Sequence, residues 1–96
     1  MKTIELYPLV SSFAENKDVA QQIRKTLLVP ALESREEIIL DFQNIDAVTQ
    51  SFILALISEL FRMYGGEVLD FIIFKHCNKN VKNIINMVIE YMQESQ

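Results

Sequence analysis

The apolar residues of this chain follow two spacings that alternate along its length. In residues 2–6, Ile4 and Leu6 alternate with Thr3 and Glu5, the period of two expected of a half-buried strand. Pro8 ends that strand or marks a bulge, because proline cannot donate to a ladder, and residues 9–13 offer a short second strand. From Asn16 to about position 29 the spacing becomes helical. Val19, Ala20, Ile23 and Leu27 share one face, with Asn16 as cap and Asp18 in the first turn. Pro30 predicts the end of that helix and an extended Val29 before it, since its ring crowds the preceding turn. A short turn through Ala31 and Leu32 then starts at Pro30.

Residues 37–42 hold Ile38, Ile39 and Leu40 in succession, the mark of a strand covered on both faces. Residues 43–49 read as a loop carrying Asn44 and Asp46, and a helix follows over about 50–64 until Gly65-Gly66 stops it. The next strand lies in residues 68–75, with Phe71, Ile72, Ile73 and Phe74 as its buried run. Asn78 or Asn80 caps a last helix to about position 93, whose apolar face is Val81, Ile84, Ile85, Val88, Ile89 and Met92. Strand and helix thus alternate three times. The order predicts a single α/β domain over residues 1–96, a three- to five-stranded, mainly parallel or mixed sheet with about three packed helices. Functional groups in such sheets gather where strands end and helices begin, here residues 41–51 and 75–80.

Composition narrows the classes. With 13 acidic against nine basic residues the net charge is −4, which argues against binding to a nucleic-acid backbone as the main function. The longest wholly apolar run is residues 52–57, far short of the about 20 that a membrane helix needs. No secretory signal is readable, and the lone cysteine, Cys77, has no partner for an internal disulfide, so a reducing cytoplasm is the expected location. One His and one Cys cannot by themselves build a Cys/His metal site, so no metal or cofactor is expected.

Several residues could still carry chemistry. Asp41, near the end of a buried strand, reads either as a general base or ligand or as a structural carboxylate accepting N–H bonds from the next loop. Asp46 reads as a turn residue, or as a second acid converging on Asp41. Thr49, Gln50 and Ser51 straddle a helix start, where a hydroxyl can cap free N–H groups or accept a phosphate that the helix dipole favours. The expectation is that Ser51 is chiefly the cap. Along the following helix, Ser51, Ala55, Ser58, Glu59 and Arg62 form a narrow polar strip whose small side chains let another backbone approach, a docking surface or simply a solvated edge. His76 and Cys77 are neighbours in an extended segment and point opposite ways, so His76 is poorly placed to activate the thiol.

The stretch 38–57, IILDFQNIDAVTQSFILALI, resembles the STAS fold group, named for sulfate transporters and anti-sigma-factor antagonists. It is more similar to a bacterial STAS-like family of unknown function, on Leu40-Asp41-Phe42, Ile45, Val48 and Ser51-Phe52. The resemblance implies a non-enzymatic regulatory module that binds a protein partner, often a histidine-kinase-like ATPase that phosphorylates a Ser or Thr at the helix start. By that alignment Gln50 occupies the usual phosphoacceptor position and Phe52 the usual Gly, which leaves Ser51 and Thr49 as candidate acceptors. A Gly and Arg motif of the STAS-like family is not evident before the first helix. The partner surface so implied comprises Asp46, Ser51, Ala55, Ser58, Glu59 and Arg62. Two other classes compete: a small enzyme using Asp41 with Asp46 or Cys77, and a structural subunit that dimerises through Met87 and Tyr91 of the last helix.

Overall fold

The computed structural model describes residues 1–94. Three strands, β1 (Lys2–Glu5), β3 (Ile38–Asp41) and β5 (Ile72–Lys75), form an all-parallel sheet with β3 in the centre. A separate parallel pair joins β2 (Phe13–Ala14) to β4 (Ala47–Val48). The helices are a single turn α1 (Tyr7–Val10), α2 (Lys17–Ile23), α3 (Val29–Glu33), the long α4 (Gln50–Tyr64) and α5 (Lys79–Glu94). A π-helical segment, Arg24–Leu28, links α2 to α3, and a 3-10 helix, Gly66–Phe71, leads into β5.

Helix ends follow the local chemistry. Asn16 caps α2 through its side-chain oxygen, which accepts from the N–H groups of Asp18 and Val19. Gly65, at φ 77°, stops α4 while its N–H donates to the Phe61 carbonyl. Pro30 does not end its helix, and Val29 is helical at φ −61°, ψ −48° rather than extended. The π-turn is the device that admits it: the Val29 N–H reaches back five residues to the Arg24 carbonyl. This wider turn shifts the carbonyls that a proline ring would meet in a regular α-helix, and the chain runs on to Glu33.

Strand expectations needed more correction. Leu9 and Val10 belong to the α1 turn, where Pro8 sits near the first helical position, so of residues 9–13 only Phe13 is in a strand, which continues into Ala14. Their partner, Ala47–Val48, lies inside the expected loop 43–49. Residues 68–71 are 3-10 helical and not strand, and Val68 is buried from within that helix.

The register sorts the sheet into two unlike faces. Ile4, Leu40 and Phe74 form one row of the inner face, with Ile38 and Ile72 in the row beside it. Ile38 and Leu40 are wholly buried against the helices. The outer face carries Thr3, Ile39 and Ile73 in one row and Glu5, Asp41 and Lys75 in the next, and Ile73 is exposed. Consecutive Ile38-Ile39-Leu40 therefore does not mean a strand covered twice, because α2, α4 and α5 pack as one layer on the inner face. Ile39 is half-buried by its neighbours within the sheet. Phe42, Phe52, Leu56 and Leu60 fill the space between that layer and the strands, each with no exposed surface.

Candidate functional site

The outer ends of β3 and β5 bring Asp41 and His76 together. His76 Nδ1 lies 2.9 Å from Asp41 Oδ1, and the same oxygen accepts the Gln43 N–H at 2.9 Å. These two bonds hold the Asp41 carboxyl below its ordinary range, the His76 contact first and the Gln43 N–H second. His76 and Asn44 both adopt left-handed backbone, φ 58° and φ 70°, the turn from strand into loop at each side of the pair. Asp41 also lines a recess of about 70 Å³ with Glu5, Tyr7, Pro8, Gln43 and Asn44. Asp46 and Cys77 do not line it. The Gln43 N–H bond is of the kind expected of a structural loop carboxylate, and His76 is a partner the chain pattern did not show. Burial pushes the Cys77 thiol up, against the pull of Lys82, so the thiolate that a nucleophile requires is disfavoured.

Two further side chains brace the loop that feeds α4. Asn78 caps α5 by accepting the Val81 N–H at 2.9 Å, and its amide donates to the Asp46 carbonyl at 2.9 Å. At the other end Thr49, in extended backbone, accepts the Phe52 N–H at 3.1 Å. Thr49 is therefore the cap of α4, and the expectation that Ser51 caps it is overturned. The reason is position: Ser51 already lies inside the helix, whereas a capping oxygen must belong to the last non-helical residue.

Along α4 the strip expected from spacing is one face of the helix. Ser51 and Arg62 are exposed, and Ala55, Ser58 and Glu59 are half-buried. Arg62 pairs with Glu59 at 3.1 Å. The close approach that Ala55 permits is used within the chain itself, because Arg24 of the π-segment donates to the Ala55 carbonyl at 2.8 Å. On the opposite flank, Gln50 and Leu54 meet Met87, Val88 and Tyr91 of α5 around a groove of about 200 Å³. What remains between α2 and α5 is a shallow, uncharged start at Ser51 and an ion-paired end at Arg62. Asp46 is exposed in the loop ahead of it.

A family model described as a STAS-like domain of unknown function (DUF4325) matches residues 19–82, from α2 into the first turn of α5. The chain belongs to this STAS-like family. No curated protein and no solved structure matches it. The matched segment contains the Asp41–His76 pair, the Thr49 cap and the whole α4 strip, while Glu5, Tyr7 and Pro8 of the recess and Met87, Val88 and Tyr91 of the groove lie outside it. Among the described residues, no helix is long and apolar enough to cross a membrane.

Two outcomes are expected of the STAS-like site. Thr49→Ala removes the cap and destabilises the protein by about 0.5–2 kcal/mol, while Ser51→Ala stays within about 0.5 kcal/mol. Urea unfolding of the two variants separates them. The second concerns acid. Since folding depresses the Asp41 pKa, the pair contributes stability above about pH 4 and loses it as pH falls through the lower folded value. Asp41→Asn is expected to cost about 1 kcal/mol at neutral pH, a modest figure because His76 is half-exposed to solvent. The gap in melting temperature between wild type and Asp41→Asn should then narrow in acid. A gap that stays constant down to the lowest accessible pH would show that the pair carries no linked proton.

Proposed function

We propose that this STAS-like chain is a non-enzymatic regulatory module that binds a protein partner through α4 and the loop before it. The observation that carries the reading is the face of α4 itself, with Ser51 and Arg62 exposed, Ala55 and Ser58 half-buried, and Asp46 exposed ahead of the helix. A long helix flanked on both sides, offering small side chains at its amino end, suits a flat protein surface better than a small substrate. The partner class is a histidine-kinase-like ATPase, a proposal that rests on the STAS resemblance. Ser51 is the better placed of the two candidate phosphoacceptors, because it is exposed while the Thr49 hydroxyl is engaged as the cap. A phosphate there would meet the positive end of the α4 dipole. The Asp41–His76 pair, in this reading, holds the carboxyl ends of β3 and β5 in register behind the surface.

Affinity capture from the host, followed by titration of the purified partner, tests this. Ser58→Arg and Arg62→Glu are each expected to weaken binding by about tenfold or more at an unchanged melting temperature, since unmatched charge in an interface is costly. Equal binding by wild type and both variants removes α4 as the surface. A partner with no ATP-binding domain that still responds to these variants keeps the surface and overturns the partner class.

A further inference from the structure

At the carboxyl ends of α3 and α4 the chain forms a half-open cavity of about 220 Å³. It shares no residue with the α4 strip or with the recess beside Asp41. One part of its lining is apolar: Leu32 of α3 and Val68 of the 3-10 helix are buried, and Phe71 is half-buried. The rest is polar. Tyr64, the last residue of α4, donates its hydroxyl to Glu33 Oε1 at 3.0 Å. Burial first, and the Glu33 carboxylate second, push that hydroxyl's pKa up, so it stays protonated and leaves the other Glu33 oxygen open. Arg35 and Glu67 are exposed at the same cavity, and the side chain of neither has a hydrogen-bond or ion-pair partner among the described residues.

Arg35 stands where side chains are uncommon. The Glu36 N–H returns to the Ala31 carbonyl at 2.9 Å and the Arg35 N–H to the Leu32 carbonyl at 3.0 Å, the pair of bonds that closes a helix with a left-handed residue. Arg35 is that residue, at φ 57°, a conformation that glycine adopts without strain. A guanidinium is thus held against its backbone preference at the mouth of a pocket that also carries two carboxylates.

We propose that this cavity binds a free α-amino acid with a branched apolar side chain. Its carboxylate pairs with Arg35, its ammonium with Glu67 and the open oxygen of Glu33, and its side chain lies on Leu32, Val68 and Phe71. Size supports a ligand of this class. Pockets for drug-sized molecules run to about 300–1,000 Å³ and about 150 Å³ holds benzene, so this cavity suits a molecule of amino-acid size. Charge selects the zwitterion. A simple amine leaves the Arg35 guanidinium unmatched, and a simple carboxylic acid meets two carboxylates. Guanidinium and carboxylate pair through two parallel bonds, which orients the ligand as well as holding it. A protein chain carries only one of these two charges at each terminus, so the ligand is the free amino acid and not a chain end. This site does not rest on the partner proposed above.

Isothermal titration calorimetry with leucine tests the assignment, with glycine, leucinamide and isocaproate as probes that each lack one of the three groups. Leucine is expected to bind with micromolar to millimolar affinity, and each of the other three at least about tenfold more weakly. Arg35→Gly removes the guanidinium and relieves the left-handed strain. Its melting temperature should equal or exceed that of wild type while its affinity for leucine falls by about tenfold or more. Ser58→Arg, on the α4 strip, should bind leucine as wild type does. Four results would each overturn the proposal: no binding of leucine up to its solubility limit, leucinamide or isocaproate binding as tightly as leucine, undiminished binding by Arg35→Gly, or loss of leucine binding in a folded Ser58→Arg.

Discussion

Phe52→Ala is expected to lower the unfolding free energy by about 3–5 kcal/mol, the largest effect of any single substitution considered for this chain. Phe52 has no exposed surface and sits in the first turn of α4, with its N–H on the Thr49 hydroxyl. Its ring belongs to the same buried apolar cluster as Leu56 and Phe42, and truncation leaves a cavity that a close-packed core fills only in part. Total stability of a small domain is only about 5–15 kcal/mol, and the variant should be close to its folding threshold. Met63→Ala, exposed on the same helix, is the comparison and should change stability by no more than about 0.5 kcal/mol. Urea unfolding followed by circular dichroism measures both. A loss below about 1 kcal/mol for Phe52→Ala would mean that the ring contributes little to packing.

Gly65→Ala should cost about 1–3 kcal/mol and Gly66→Ala should cost nothing or stabilise slightly. The two glycines are adjacent, and crowding does not distinguish them in this direction. A Cβ on Gly65 would meet no atom within 4 Å, and one on Gly66 would make ordinary contact with the Phe61 ring at 3.8 Å. The difference is backbone. Gly65 is held at φ 77°, ψ −174°, a region that side-chain-bearing residues avoid, and Gly66 is not in positive φ. The penalty at Gly65 is therefore strain alone, and Gly66→Ala gains from restricting the unfolded chain. Thermal unfolding of the pair tests this, with equal melting temperatures as the outcome that would contradict it.

Features whose causes lie within one helical turn of sequence were legible without the structure. The α4 helix runs from Gln50 to Tyr64, the limits set by hydroxyl and amide residues before its apolar repeat and a glycine after it. The Asn16 and Asn78 caps, the inner face of α5 and the exposed Ser51 and Arg62 are of the same kind. Each depends on residues no more than about four apart, a distance over which backbone geometry places side chains whatever the rest of the chain does.

Even within that range, competition between near neighbours was decided elsewhere. Thr49 and Ser51 both carry a capping hydroxyl, and which one caps depends on the residue at which the chain leaves extended backbone. The pairing of β2 with β4 sets that point, through the Thr49 N–H bond to the Ala14 carbonyl. Pro30 reads as a stop because a regular α-helix cannot hold it. Packing of α2 and the π-segment against α4, with Arg24 on the Ala55 carbonyl, accompanies the widened turn that does.

By itself, then, the chain determined its alternation of strand and helix, its caps, its apolar faces and its STAS-like character in residues 38–57, because periodicity and end chemistry are local. The tertiary structure alone decided that Ile39 and Ile73 share the outer face of the sheet, that Glu5, Asp41 and Lys75 fall in one row, and that His76 turns to Asp41, 35 positions away, rather than to Cys77 beside it. Strand register and layer placement carry no local signature. They are set by which arrangement buries Ile38, Leu40 and the α4 core together, and that is a property of all the elements at once.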